Sequence, residues 1–282
     1  MKRFISIILF FLAVTSSYGI DFKWKTVRMD GSRTGTSMPN PNDVSATIGV
    51  VEKNTYTAPN GRKYRGGSTV EVARLMTEAQ PALAHVKEVI GYSDEEMVRH
   101  KPQCELSNWF VDVLMKTTSE AVDRPVDIGI YNFGGIRADL PKGNVTVDDI
   151  LSIFPFNNFP AYVALKGSDV KYIFERMAEH GVQAVGGVQM VVRDRRLESL
   201  LVGGQPVDDK KIYGLVTIDF LLNGGDGLNL ARNAQDLIIT DKKVSDVVIP
   251  YIRRITAEGR SIRGEIDDRV TIIKTETPVE GK

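Results

Sequence analysis

Phe220 and Asp226 stand six residues apart in the stretch DFLLNGGDG (219–227), with two glycines directly before the acid. An aromatic face can stack a flat ligand, and a carboxylate offers acceptors to hydroxyl groups. The same spacing is also compatible with a strand end followed by a tight loop. Two further segments carry recognition chemistry. In NFGGIR (132–137), Gly134 and Gly135 let the backbone turn sharply and let a ligand approach closely. Arg137 can meet a phosphate or carboxylate with a charge-assisted fork. The plainer reading is a strand-ending turn with a solvated arginine. In FPFNN (154–158), Pro155 stiffens the loop and can hold Phe156 in a fixed pose ahead of Asn158. Loop aromatics tucked into a core fit that segment as well. Stacking of a base on an aromatic side chain is worth about 1–3 kcal/mol. Composition alone does not bring the three segments together.

Hydrolytic chemistry is sparse. The histidines are His85, His100 and His180, and the positions two before them hold Leu83, Val98 and Ala178. No Asp-x-His, His-x-His or Asn-His-Glu occurs, whereas a catalytic zinc or two-metal site draws on several such ligands. Neither a G-x-x-x-x-G-K-[ST] phosphate loop nor a G-x-S-x-G elbow is present. In DGSRTGTSMPNPND, Asp30, Ser32, Thr34 and Gly35 imitate the opening of a calcium loop. Pro41 occupies the place of the bidentate glutamate, which excludes that reading.

The elements that must position the recognition segments follow from periodicity. Ser68 and Glu71 form a capping-box pattern ahead of a helical run that Pro81 ends or kinks. Trp109, Phe110, Val113 and Leu114 share one face of a helix expected over 107–121. VDIGIYNF (126–133) alternates as a strand and delivers NFGGIR. Thr146 with Asp149 marks another capped helix start. VALKGSDVKYIFERMAEHG reads as strand, turn and helix, with Val170, Ile173, Phe174 and Met177 as the core stripe and Gly181 as the stop. Strands are expected at 187–193, 197–202 and 212–219, a helix near 243–257 and a last strand at 266–273. Helices and strands mix without strict alternation, so the fold class is α+β (mixed α/β), with mixed β-sheets flanked by helices.

The whole sequence has 282 residues and a formal charge of +0, so no global basic field argues for DNA, RNA or an anionic membrane. Its start, MKRFISIILFFLAVTSSYG, has Lys2 and Arg3, an apolar run from Phe4 to Val14 and a small-x-small site at Ser17-Tyr18-Gly19. This is the pattern of a cleaved signal peptide over 1–19, too short to span a bilayer. It implies export to a periplasmic or extracellular space with no membrane anchor left after cleavage. Residues 20–67, rich in Gly, Pro, Asn, Ser and Thr, read as an irregular arm. The compact domain is expected over 68–275, with a tail at 276–282. Cys104 is the single cysteine and reads as a small core residue.

From about residue 68 to 273 the sequence resembles the C-terminal domain of the 5′-nucleotidases. The likeness begins with VIGYSDEEM (89–97) and Ser107-Asn108. NFGGIR resembles that family's N-x-G-G-I-R, FPFNN its P-F-x-N, DFLLNGGDG its F-x-x-x-G-G-D-G and DDRVTII its closing strand. The resemblance implies nucleotide recognition. Phe156 and Phe220 would sandwich the base, and Asp226, beside Gly225, would bind ribose hydroxyls. Asn132 and Arg137 would face ribose and phosphate, with Gly134, Gly135 and Asn158 completing the motifs. A further arginine ahead of the second helix is matched most nearly by Arg99, displaced by one residue, with His100 at the matching place. The family's usual enzyme also carries a metallophosphatase domain with Asp-x-His and Asn-His-Glu, which these residues do not contain. The resemblance therefore implies no cofactor in this chain and divalent metals such as Zn or Mn in a separate metallophosphatase. Three readings follow: the recognition subunit of such a pair, a stand-alone nucleoside or nucleotide binder, and an independent hydrolase, for which the ligand inventory is thin.

Overall fold

The computed structural model describes residues 44–275. The signal pattern, the calcium-like stretch and the tail at 276–282 lie outside the described residues. Contacts within the chain divide it into Met1–Thr77 and Glu78–Lys282.

The described part of the first unit contains α1 (Val44–Ile48), the antiparallel strands β1 (Val50–Glu52), β2 (Thr55–Thr57) and β3 (Lys63–Arg65), and α2 (Gly67–Ala79), whose end reaches the division. The arm expected to be irregular is thus a small meander over this stretch. Tyr56 stacks on Tyr64 at 5.9 Å and donates its hydroxyl to the carbonyl of Ile48 at 2.8 Å. Gly66 and Gly67 have positive φ, and α2 begins at Gly67. Ser68 is thus the second residue of the helix as its bounds run.

The second unit includes, near its start, a 3-10 turn at Pro81–Lys87, where proline at the first position needs no N–H partner. Its elements in order are β4 (Val89–Ser93), α3 (Glu105–Val122), β5 (Ile128–Tyr131), β6 (Gly143–Thr146), α4 (Val147–Ile153), β7 (Pro160–Lys166) and α5 (Gly167–His180). Then come β8 (Ala184–Gly186), β9 (Val188–Arg193), β10 (Arg196–Val202), β11 (Gln205–Pro206) and β12 (Ile212–Ile218). The short α6 (Asp219–Leu222), β13 (Asp236–Ile239), α7 (Val244–Ala257) and β14 (Val270–Ile273) complete it.

A five-stranded sheet has the order β13-β7-β12-β5-β8, with β12 and β5 parallel and the other neighbours antiparallel. A four-stranded sheet, β11-β10-β9-β14, pairs β9 with β14 in parallel. The pair β4-β6 is antiparallel. Mixed sheets flanked by helices are the α+β class that the sequence implies.

Local chemistry explains the helices that frame the site. Thr146 and Asp149 form a complete capping box at the start of α4. Cys104 is fully buried and also caps α3, its sulfur accepting from the Ser107 amide at 3.4 Å. Val170, Ile173, Phe174 and Met177 of α5 are buried, and Gly181 follows its last turn at φ 132°. Arg269 is 8% exposed and ties β14 to α3 and β8. It donates to both oxygens of Asp112 at 3.1 Å, to both oxygens of Asp267 at 2.8 Å and to the Val185 carbonyl at 3.1 Å.

The sheet register is what brings distant loops together. Because β5 and β12 are parallel, the loops that leave their C-terminal ends emerge at the same edge of the sheet. Antiparallel β7 starts where β12 stops, with Pro160 opposite Ile218. The segment entering β7 therefore joins those two loops.

Candidate functional site

The three converging segments are NFGGIR after β5, FPFNN before β7 and DFLLNGGDG after β12. They enclose a cleft of about 300 Å³ lined by Asn132, Gly134, Gly135, Arg137, Phe156, Asn158, Phe220 and Asp226. These are eight of the ten residues that the sequence singles out.

Each wall has a local cause. β5 ends at Tyr131, and a 3-10 turn at Phe133–Gly135 swings the chain across the sheet edge. Tyr131 is held edge-on to Phe110 at 4.6 Å and to Phe154 at 6.1 Å. Its burial pushes the phenol's pKa well above its ordinary value, so it remains neutral. A Cβ on Gly135 would stand 2.6 Å from the Tyr131 hydroxyl oxygen and 2.7 Å from its ring carbons. Only glycine lets the loop lie down on that ring. Gly134 has ordinary room, its nearest neighbours being the Asn132 amide nitrogen at 3.4 Å and Asp226 at 3.5 Å.

Asn132 and Asp226 form the polar side of the cleft. Nδ2 of Asn132 donates to Oδ2 of Asp226 at 2.7 Å. Asn132 is buried, and its Oδ1 has no partner. An ionised carboxylate only accepts, so it fixes which end of the amide turns toward it. Asp226 itself sits at φ 49°, ψ 29°, the left-handed region that few residues other than glycine tolerate. Gly224 at φ 101° and Gly227 at φ 75° complete the turn that presents the carboxylate.

The aromatic side consists of Phe156 and Phe220, 46% and 48% exposed. Both rings line the cleft and are open to it. Gly225 does not line the cleft but seats Phe220. A Cβ there would come within 2.1 Å of the Phe220 carbonyl oxygen and 2.8 Å of its ring. Arg137 is exposed, its guanidinium 5.9 Å from the centre of the Phe156 ring and 3.3 Å from the Gly134 carbonyl. The cleft thus has a cation beside one ring and a carboxylate beyond the other loop.

Arg99 lies outside this cleft. It lines a neighbouring hollow of about 320 Å³ with His100, Lys101, Phe133 and Gly134, so Gly134 borders both. Its backbone amide donates to Asp139 at 2.8 Å and its guanidinium to the Ile136 carbonyl at 2.5 Å. His100 and Lys101 follow it directly, and the Lys101 ammonium stands 5.7 Å from the centre of the Phe133 ring.

Sequence reasoning passed over the ring cluster beneath the loop and the role of Asp219. The cluster Phe110, Tyr131 and Phe154 carried no local signal, because its members come from separate elements. Asp219 accepts from two backbone amides through one oxygen, Phe159 N at 3.1 Å and Phe220 N at 2.9 Å. Its position at a strand end beside an aromatic was the available hint. A metal centre does not fit these residues: among the described residues, no group of three or more His, Cys, Asp or Glu is placed to hold an ion.

Known proteins resemble this chain in sequence and in fold. An apyrase of Tabanus yao is 28% identical over 235 residues, which is 70% of this chain and 42% of the relative. Protein UshA of Escherichia coli strain K12 is 27% identical over 148 residues, 50% of this chain and 27% of the relative. The chain thus spans less than half the length of these relatives. A solved 5′-nucleotidase precursor from Thermus thermophilus superposes with a TM-score of 0.64 at 22% identity, covering 77% of this chain and 45% of the other. That likeness is one of fold. The family model described as 5′-nucleotidase, C-terminal domain, matches residues 84–232, a span that contains all three converging segments. More than half of the sequence is matched, and the chain belongs to the 5′-nucleotidase C-terminal domain family.

Proposed function

We propose that the cleft binds a nucleoside or nucleoside monophosphate, and that the chain is the recognition part of a phosphomonoester-hydrolysing system in nucleotide catabolism. The observation that carries this reading is the convergence of Phe156, Phe220 and the Asn132–Asp226 pair on one cleft. Two open rings suit a base, and the carboxylate suits the vicinal hydroxyls of ribose. Arg137, with Arg99 in the adjoining hollow, suits a phosphate. Stacking tolerates every base, so the rings alone do not select adenine.

Bond cleavage in this reading belongs to a separately encoded metallophosphatase, whose divalent ions would activate water and stabilise phosphoryl charge. The domain described here would hold and orient the nucleotide, which is a large part of what such a reaction needs. The signal-like sequence at 1–19 supports an exported protein, periplasmic or extracellular. Among the described residues, no helix is long and apolar enough to cross a membrane.

The second reading is capture of nucleoside or nucleotide without chemistry, for which the same cleft would suffice. Calorimetric titration with AMP and adenosine, followed by phosphate-release assays with and without Mn²⁺ or Zn²⁺ and a metallophosphatase partner, separates the two. Release that requires the partner supports the subunit. Binding that no partner converts to release supports the binder. No binding of either ligand removes both.

A further inference from the structure

Both aromatic residues of the cleft hang from one point in the backbone. β12 ends at Ile218, opposite Pro160 at the start of β7. One step beyond, the amide of Asp219 donates to the Phe159 carbonyl at 3.0 Å. The return bond does not go to a backbone carbonyl. It goes to the Asp219 side chain, whose Oδ1 accepts from Phe159 N at 3.1 Å and from Phe220 N at 2.9 Å. A single carboxylate oxygen therefore holds the backbone of both loops. Phe220 is the next residue along the chain, and Phe156 lies three residues before Phe159.

We infer that Asp219 is a positioning residue that sets the gap between the Phe156 and Phe220 rings, and so controls base binding without touching the ligand. The inference rests on the nucleoside reading of the cleft and adds to it a residue that governs one part of the ligand only. Hydrogen bonds to an ionised acceptor are stronger and more directional than neutral ones, which suits a clasp at the root of two open side chains. Each residue keeps nearly half its surface exposed, so the backbone that carries the ring has a large share in where the ring stands. The Asn132–Asp226 pair and Arg137 are fixed by other contacts, to each other and to the Gly134 carbonyl. Loss of the clasp should spoil stacking and spare the sugar and phosphate contacts.

The experiment titrates the full chain and the variants Asp219→Ala, Asp219→Glu and Asp219→Asn with adenosine, AMP and ribose 5-phosphate. Ribose 5-phosphate keeps the sugar and phosphate but has no base. Asp219→Ala removes the shared acceptor, and Asp219→Glu moves it by a methylene. Both are expected to lose about 5- to 150-fold in affinity for adenosine and AMP, the range that stacking spans. Affinity for ribose 5-phosphate should stay within about twofold. Asp219→Asn keeps an acceptor oxygen in place and should rescue most of the loss.

Unchanged adenosine affinity in Asp219→Ala would overturn the assignment while wild-type binding still upheld the cleft. An equal loss for adenosine and ribose 5-phosphate would do the same, as would failure of both Ala and Glu variants to fold, because either result makes Asp219 a general structural residue. Failure of the wild-type chain to bind any of the three ligands would instead remove the nucleoside reading itself.

Discussion

The side-chain amide of Asn132 donates to the carboxylate of Asp226 at 2.7 Å across 94 positions of sequence. This bond joins the glycine loop after β5 to the glycine loop after β12, and it forms the polar side of the cleft. It also leaves Oδ1 of Asn132 buried without a partner. Carboxylate and amide therefore act as a unit, and a change in one alters the other.

Asp226→Asn weakens the charged acceptor and removes the constraint on Asn132. Hydrogen bonds to charged groups contribute about 1.5–3 kcal/mol. Affinity for adenosine should fall by that order, while affinity for free adenine should change little. Titration of both ligands checks this, and an equal loss for the two would rule out a ribose contact.

Phe220→Ala removes a ring that is 48% exposed, so the fold should persist with a nearly unchanged melting temperature. Nucleoside binding should weaken by about 1–3 kcal/mol. A folded variant with wild-type affinity would show that Phe220 does not stack.

Gly135→Ala and Gly134→Ala should differ sharply. The first places a methyl group 2.6 Å from the hydroxyl oxygen of the buried Tyr131, whose ring is wedged against Phe110 and Phe154. Overpacking of this kind costs about 1–3 kcal/mol. The second meets only ordinary contacts at 3.4 and 3.5 Å. Denaturant unfolding should therefore show a clear loss for Gly135→Ala and little change for Gly134→Ala.

Arg269 binds two carboxylates at once, and its hydrogen bonds hold the Asp267 carboxyl below its usual range. A carboxyl whose folded pKa lies below its unfolded value adds stability at pH above the unfolded value, about 3.9. That contribution fades as pH falls through the lowered folded value. Asp267→Asn should flatten the acid side of the stability profile below about pH 4. Arg269→Met strands Asp112 and Asp267 and should destabilise at neutral pH, toward the lower end of the roughly 3–5 kcal/mol seen for broken buried pairs. The lower end is expected because the two carboxylates remain about half exposed.

Much of this architecture is legible locally. The Thr146–Asp149 capping box, the Val170–Met177 stripe and the glycine that stops α5 are all short-range signals, and the helices form where they indicate. The site motifs are legible as loops for the same reason. Their meeting is not, because it depends on the parallel pairing of β12 with β5 and the register of β12 against β7. Residues 50–65 read as irregular because strands of three residues are too short for alternation to show. Cys104 reads correctly as core, but its capping of α3 is hidden, since cysteine is outside the usual set of cap residues. Arg269 carries no sequence signal of its burial; its partners Asp112 and Val185 lie far away in the chain.

Calorimetric titration of the purified full chain with AMP, adenosine and ribose 5-phosphate tests the central claim most directly. Adenosine and AMP should bind saturably and one to one, more weakly in Phe220→Ala and Asp226→Asn, and ribose 5-phosphate should bind more weakly than either. Absence of heat for both adenosine and AMP in a folded protein, or binding indifferent to both substitutions, would contradict it.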